Sequence, residues 1–194
     1  MKTIELKTPI LEEDIRKLKV GNIIYFTGTL FTARDAAHKR ILQYLQNRKE
    51  LPFKVNGAPL YHCGPLVRQT SMGWIVVAAG PTTSMRMEAY EEDVIKNLCV
   101  RLIIGKGGMG EKTVRAMKEF GAVYGSFTGG AAVLASKCVK NVADVQWLDL
   151  GEPEAIWMLE VEKFGPLIIC IDSYGNNLYT KVQTEAKNNK AKIL

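Results

Sequence analysis

Three cations in this chain each follow a hydrophobic, strand-like run and stand near the start of a helix-like segment. They are Arg34, Arg86 and Lys106, in the junctions 23–40, 74–90 and 102–120. A strand-to-helix turn presents free backbone N–H groups and the positive end of a helix dipole, which together suit an anion. If the three loops lie at the same edge of one sheet, they predict a pocket for a small molecule with several negative charges.

The first junction, TARDAAHKR, places further polar residues within two helical turns. Arg34 and His38 are four residues apart and share a face, as do Asp35 and Lys39. A single histidine on a helix also fits a surface or core position, but the Arg–His pair at an anion-favouring helix end indicates a functional role. Asp35 and Lys39 also fit an ordinary exposed ion pair. Thr32 with Asp35 three residues later approximates a capping box at the helix start.

The second junction, GPTTSMR, has three consecutive hydroxyl residues, Thr82, Thr83 and Ser84, before Arg86. One of them is predicted to cap the following helix. Three hydroxyls and an arginine exceed what a cap needs, and an arginine can bind a carboxylate through two parallel hydrogen bonds.

The third junction contains G-x-G-x-x-G at Gly105, Gly107 and Gly110, after a strand and before a helix. This pattern is typical of dinucleotide sites. The expected acid about twenty residues later is missing, and Lys106 lies inside the loop, so nicotinamide binding is disfavoured. The residue directly after the last glycine is Glu111, where a P-loop has Lys followed by Ser or Thr, which excludes a P-loop.

The elements that position these loops can be read from hydrophobic spacing. Helices are predicted at 11–19, 33–47, 85–98 and 111–120, and in 128–139, and strands at 23–27, 60–63, 74–79, 100–104 and 122–124. From about residue 145 the chain is β-rich, with a hairpin turn predicted at 175–177. The pattern predicts a three-layer α/β domain with a mixed sheet.

Composition limits the class of protein. The 194 residues, 47% hydrophobic and 24% charged, fit one globular domain without a membrane span. The N-terminal residues do not resemble a secretory signal, so a cytoplasmic location is expected. Much of the net charge of +6 comes from a basic C-terminal tail, and no aromatic–basic stripe, zinc finger or RNP-type motif supports nucleic-acid binding.

The four cysteines are widely spaced and form no C-x-x-C pair. A zinc ribbon or an iron–sulfur cluster held by this chain alone is therefore not expected. Cys99 and Cys170 stand in apolar runs and are predicted to be buried, and Cys63 is predicted to be structural.

Five ordered motifs carry a family resemblance over about residues 5–180. TGTLFTARDAAHKR, YHCGP, AGPTTSMRM, GKGGMGEKT and EAIWMLEVEKF resemble the β subunit of class I iron–sulfur fumarate hydratases and of L-tartrate dehydratase. The resemblance implies a single swivelling β/β/α domain at 1–180, followed by a basic tail at 181–194. It implies a hydro-lyase of the tricarboxylic acid cycle that interconverts fumarate and L-malate, with L-tartrate dehydration or a non-catalytic anion-binding module as alternatives.

The same resemblance implies partners. A 4Fe–4S cluster would be held by three cysteines of an α subunit, so this chain would ligate no metal and would be inactive alone. An α2β2 complex is the expected assembly, or a homo-oligomer when the chain is alone.

Roles for individual residues also follow from the resemblance. Arg34, Arg86 and Lys106 would bind the dicarboxylate, in loops that also contain Thr83, Gly105 and Gly107. Thr82 would be the catalytic base, and His38 would orient or protonate the substrate. Asp35 would support these groups. The family commonly has Gly where this chain has Met85.

Overall fold

In the computed structural model, which describes residues 3–55 and 57–193, seven strands form one mixed sheet in the order β1-β2-β3-β6-β7-β9-β8. These strands are β1 (Thr3–Lys7), β2 (Ile23–Thr32), β3 (Leu60–Tyr61), β6 (Leu102–Gly105), β7 (Val123–Ser126), β8 (Val139–Gln146) and β9 (Ile156–Ile171). A separate antiparallel hairpin consists of β4 (Leu66–Thr70) and β5 (Gly73–Ala78). The predicted mixed α/β class is confirmed.

The long strand β9 closes the sheet on itself. One of its edges pairs antiparallel with β2, from Phe31 opposite Met158 to Ile23 opposite Ile168. Its other edge pairs with β8 and then with β7. β2, β3, β6 and β7 lie side by side in that order, and each is parallel to the next. Because β9 pairs with both β2 and β7, these five strands form a closed ring.

In the part of the chain that the structure describes, six α-helices accompany the strands: α1 (Glu12–Ile15), α2 (Asp35–Gln46), α3 (Glu88–Leu98), α4 (Glu111–Phe120), α5 (Ala132–Cys138) and α6 (Leu178–Ile193). Successive side chains of a strand point to opposite faces of the sheet, so alternate residues belong to two different apolar cores. Leu102 and Ile104 belong to one core, and Ile103 belongs to the other, which also contains the buried faces of α2, α3 and α4. The sheet is therefore covered on both faces.

The predicted helix at 111–120 is found at those residues as α4. Its buried side chains are Thr113, Ala116 and Met117, which lie on one helical face at three- and four-residue spacing. Gly121 ends the helix in the left-handed conformation, with φ of +68°, which glycine adopts without steric cost.

The hairpin predicted at 175–177 is wrong. The chain does turn there, but residues 178–193 continue as α6. Asn177 Oδ1 accepts hydrogen bonds from the N–H groups of Tyr179 (3.0 Å) and Thr180 (3.5 Å), as an N-cap residue does. The segment that follows is rich in Ala, Lys, Gln and Glu, which favour helix.

Two smaller predictions are also wrong. Cys99 is exposed, because it ends α3 in the left-handed conformation instead of continuing the next strand. No capping box starts α2: Arg34 is the N-cap residue, and the Thr32 hydroxyl accepts a hydrogen bond from the Trp157 N–H (3.1 Å). Cys170 is buried as predicted, and Cys63 is buried as well. Within the described residues, no helix has both the length and the apolar composition that a membrane crossing requires.

Candidate functional site

Three loops meet near the carboxyl ends of the parallel strands. The GPTTS segment is hydrogen-bonded to the ends of two strands. Thr82 N–H donates to the carbonyl of His62, the residue after β3 (2.7 Å), and Ser84 N–H donates to the carbonyl of Lys106, the residue after β6 (2.9 Å). The strand before this segment, β5, belongs to the separate hairpin. The expectation that all three loops follow strands of one sheet is therefore wrong for the second loop, although hydrogen bonds place that loop beside the third.

Arg34 is the N-cap residue of α2 and is half-buried. Its Nε lies 3.4 Å from Glu154 Oε1, and Glu154 Oε2 accepts a 2.9 Å hydrogen bond from the Ala36 N–H. Gly64 leaves the room for the guanidinium, because a Cβ there would lie 2.7 Å from Arg34 Cδ. A carboxylate of this chain thus satisfies the start of α2.

Arg86 is paired with Asp35. Its Nε and Nη2 donate to the two Asp35 carboxylate oxygens at 3.0 and 2.7 Å, which is bidentate geometry. The Arg86 side chain is 51% exposed and that of Asp35 is 34% exposed. Asp35 therefore connects the second loop to the start of α2, and Lys39 is exposed nearby without joining the pair.

Lys106 is half-buried and forms no ion pair with any residue of the described ranges. Its backbone forms an isolated parallel bridge with Thr83, which is exposed. Gly107, the next residue, has φ of +80°, a conformation that L side chains rarely adopt. Of the three cations, Lys106 is the one whose charge is not balanced by a carboxylate of the described chain.

The start of α4 is occupied by the carboxylate of Glu88. Glu88 Oε2 accepts from the Gly110 N–H (2.7 Å) and the Thr113 hydroxyl (2.7 Å), and Oε1 accepts from the N–H groups of Lys112 (3.1 Å) and Thr113 (3.3 Å). The free N–H groups expected here are therefore satisfied within the chain. The same carboxylate fills the place where a dinucleotide would put its pyrophosphate, so the G-x-G-x-x-G loop does not serve that purpose.

The hydroxyl residues do not cap a helix. Thr83 precedes a 3-10 turn at Ser84–Met87, and neither that turn nor α3 has a side-chain N-cap hydrogen bond. Ser84 is instead buried, with its Oγ 2.9 Å from His62 Nδ1 and 3.0 Å from the Tyr124 hydroxyl. Thr82 is half-buried, next to the bonded backbone of His62.

His38 and His62 lie side by side in the interior with Glu91, and all three side chains are 0% exposed. The two rings are 5.3 Å apart, and each Nε2 faces Glu91 Oε2, at 3.4 Å for His38 and 3.0 Å for His62. His38 thus points inward, away from the exposed surface of Arg86. Sequence reasoning missed Glu91, although an acid on the helix face that carries the buried Val94 and Ile95 was a usable signal.

Gly105 adjoins this buried cluster. It is the last residue of β6, and a Cβ built on it would lie 1.9 Å from Ser84 Oγ, with Tyr124 OH at 3.2 Å and His62 Nδ1 at 3.3 Å. The first glycine of the motif therefore provides space for side chains of the interior.

Within the described residues, one group of at least three side chains could ligate a metal ion: His38, His62 and Glu91. It contains no cysteine. Cys63 and Cys170 are buried, Cys99 is exposed and Cys138 is intermediate, and none belongs to a ligand group. The residues of this chain do not fit a three-thiolate iron–sulfur site.

Comparison with known proteins gives a match over most of the chain. The family model described as "Fumarase C-terminus" matches residues 1–182. The chain is 45% identical over 173 residues to the L(+)-tartrate dehydratase subunit beta of Escherichia coli (strain K12), covering 89% of this chain and 85% of that protein. It is 44% identical over 174 residues to the putative L(+)-tartrate dehydratase subunit beta of Methanocaldococcus jannaschii, covering 89% of each.

A longer relative matches as well. The putative fumarate hydratase class I of Geobacillus stearothermophilus is 43% identical over 183 residues, which are 94% of this chain and 34% of that protein. This chain therefore corresponds to about a third of that longer relative.

Proposed function

The chain belongs to the fumarase C-terminus family, and we propose that it is the β subunit of a hydro-lyase that interconverts fumarate and L-malate. In that reaction water adds across the double bond, with the hydroxyl on one carbon and the proton on the other. Relatives named as β subunits of a dehydratase and as a class I fumarate hydratase support this proposal.

The observation that carries the proposal is the adjacency of the three cations. Asp35, the residue after Arg34, pairs with Arg86, and the segment just before Arg86 is hydrogen-bonded to the backbone of Lys106. A dicarboxylate has two charges to neutralise, and Lys106 together with the exposed side of Arg86 provides positive charge for them.

Each residue then has a role in the reaction. Arg34, Arg86 and Lys106 bind the two carboxylates and stabilise the negative charge that develops as the proton leaves. Thr82 moves that proton, with Thr83, Gly105 and Gly107 shaping the loops around it. Arg34, Arg86 and Lys106 together form what we call the clamp. Asp35 holds the Arg86 guanidinium in one orientation, so that the clamp is formed before the substrate arrives.

The iron–sulfur cluster belongs, in this proposal, to the α subunit. When bound, it supplies a Lewis acid for the hydroxyl group that is added or removed. The widely spaced cysteines of this chain support the assignment of the cluster to the α subunit.

A surface for the α subunit is available next to the site. The β4–β5 hairpin and α5 are in contact, since Ser136 Oγ donates to the Val77 carbonyl (2.9 Å). They present large exposed apolar side chains: Leu66, Met72, Ile75, Val77, Val133 and Leu134. Grouped exposed apolar side chains typically mark a protein–protein contact, and α5 begins three residues after Gly129, where a Cβ would contact Lys106 Cδ at 3.6 Å.

The test is anaerobic reconstitution of the chain with its iron–sulfur α subunit, followed by an absorbance assay of fumarate. Arg86→Ala and Lys106→Ala should each lower turnover about 100-fold or more, about 3 kcal/mol. Lys96→Ala, an exposed cation at the end of α3, is the matched control and should retain full turnover. Wild-type turnover in both site variants would refute the clamp.

L-tartrate dehydration is the second candidate. Two relatives are named for that reaction, and tartrate is also a four-carbon dicarboxylate. Assaying the same reconstituted complex with fumarate, L-malate and L-tartrate decides between them by the ratio of kcat/KM values.

A further inference from the structure

The buried cluster formed by His38, His62 and Glu91 has a specific pattern of protons. His38 Nδ1 lies 2.7 Å from the Arg34 carbonyl oxygen. A carbonyl oxygen only accepts, so Nδ1 carries a hydrogen. His38 Nε2 lies 3.4 Å from Glu91 Oε2. His38 Nε2 has no hydrogen-bond partner within the described residues, so the hydrogen bond that holds the ring is the one from Nδ1 to the Arg34 carbonyl, with Glu91 packed beside it.

The contacts of His62 place its one proton on Nε2. Its Nε2 donates to Glu91 Oε2 at 3.0 Å, and its Nδ1 accepts from the Ser84 hydroxyl at 2.9 Å. Ser84 Oγ in turn accepts from the Tyr124 hydroxyl at 3.0 Å. Burial lowers the pKa of His62, against the attraction of Glu91, and so favours this neutral form.

Glu91 is ionised between the two rings. Burial opposes its charge, but the nearby imidazoles of His62 and His38 outweigh burial and lower the pKa of Glu91 to about 2. The cluster is closed to solvent, since all three side chains are 0% exposed. The other groups near it are Asp35, whose charge favours protonation of His62, and the Tyr90 ring, 6.3 Å from His38.

The cluster connects the loops that carry the proposed clamp. Through His38 it binds the carbonyl of Arg34, and through His62 it binds Ser84. The backbone of His62 also accepts from Thr82 N–H (2.7 Å) and donates to the Ile104 carbonyl (2.8 Å), on the strand that leads to Lys106.

We infer that Glu91 is a positioning residue: its buried carboxylate accepts a hydrogen bond from His62 and packs against His38, and thereby fixes the Arg34 loop relative to the Thr82–Arg86 loop. The part of this inference that concerns catalysis rests on the proposed function. Glu91 itself has no exposed surface and touches no substrate.

The first test needs neither a variant nor activity. Nitrogen-15 NMR of the histidine rings in the full chain at pH 7.5 should show His38 protonated on Nδ1, and His62 protonated on Nε2 and unprotonated on Nδ1. A His62 ring protonated on Nδ1 would overturn the inference, because Nε2 would then not donate to Glu91. Zinc present at one ion per purified chain would also overturn it, because Glu91 would then be a metal ligand.

The second test changes one atom of the cluster. In Glu91→Gln, His62 Nε2 should lose its charged acceptor, and amide hydrogen exchange at Thr82 should accelerate about tenfold or more as the loop loosens. Glu92→Gln, an exposed neighbour on the same helix, should change neither. Unaltered Thr82 exchange in Glu91→Gln would show that Glu91 does not position the loop.

The third test uses the assembled enzyme. Glu91→Gln should raise KM about tenfold and also lower kcat, because the loop that it positions carries both Arg86, which binds substrate, and Thr82, which moves the proton. An unchanged KM would contradict the positioning role. If the wild-type complex hydrates no dicarboxylate, the proposed function fails, but the NMR and exchange results still decide the role of Glu91.

Discussion

Arg86 and Asp35 form a bidentate ion pair between the second loop and the first turn of α2, with N–O distances of 3.0 and 2.7 Å. The pair is partly exposed, so its own contribution to stability is small. Its importance is geometric, because it fixes the direction of a guanidinium that we propose binds substrate.

Asp35→Asn should therefore impair binding more than folding. The amide cannot accept two charge-assisted hydrogen bonds from the guanidinium, so Arg86 becomes mobile and KM for fumarate should rise roughly tenfold. Steady-state kinetics of the reconstituted complex measure this. Thermal unfolding within about 2 °C of wild type would confirm an intact fold, and an unchanged KM would refute the orienting role.

Glu88→Ala should destabilise the chain through α4. The change leaves the N–H groups of Gly110, Lys112 and Thr113 without their carboxylate acceptor. The expected loss in the free energy of unfolding is about 1–2 kcal/mol, measured by urea denaturation. Glu92→Ala, on the exposed face of α3, is the matched control and should change it by less than about 0.5 kcal/mol.

Gly105→Ala should be strongly destabilising, because its Cβ would lie 1.9 Å from Ser84 Oγ. We expect a loss of about 2–4 kcal/mol in the free energy of unfolding. Gly129→Ala, where the nearest atom would be Lys106 Cδ at 3.6 Å, should cost less than about 1 kcal/mol. If the clash with Ser84 is the cause, the double variant Gly105→Ala/Ser84→Ala should recover part of the loss.

Acid should destabilise the protein through the buried cluster. The pKa of His62 is lowered, so below about pH 6.5 the unfolded state binds a proton that the folded state does not, and stability falls. The pKa of Glu91 is lowered from 4.5 to about 2, so its contribution is present above pH 4.5 and is lost as the pH falls toward 2.

Urea midpoints between pH 7.5 and 4 measure this dependence. Each such group adds at most about 1.4 kcal/mol per pH unit within its window. Glu91→Gln should reduce the slope near pH 4, whereas Glu92→Gln, on the exposed face of α3, should keep the wild-type slope. Equal slopes in the two variants would contradict the assignment of an ionised, buried Glu91.

Local sequence signals predicted the elements that hold the loops. The helix predicted at 111–120 coincides with α4, whose buried Thr113, Ala116 and Met117 share one face and whose end is marked by Gly121. The strand-to-helix order predicted where Arg34 and Lys106 stand. Strand β1 was not predicted, because most of TIELK is not buried and its pairing with β2 depends on a distant segment.

The acids that complete the site could not be predicted from sequence. Glu154 reaches Ala36 across 118 residues, and Glu88 reaches Gly110 across 22. In the sequence, neither differs from an ordinary surface acid, so only the folded chain shows which helix start it satisfies. For this reason the prediction of free backbone N–H groups at the starts of α2 and α4 was wrong.

Strand β9 is synthesised after every strand with which it pairs. Until Ile156–Ile171 has left the ribosome, one edge of β2 in the nascent chain has no partner, and an unpaired edge is prone to join other chains. The ring therefore closes only late in translation. A chain that stops before residue 156 should aggregate during expression, however well its remaining helices form.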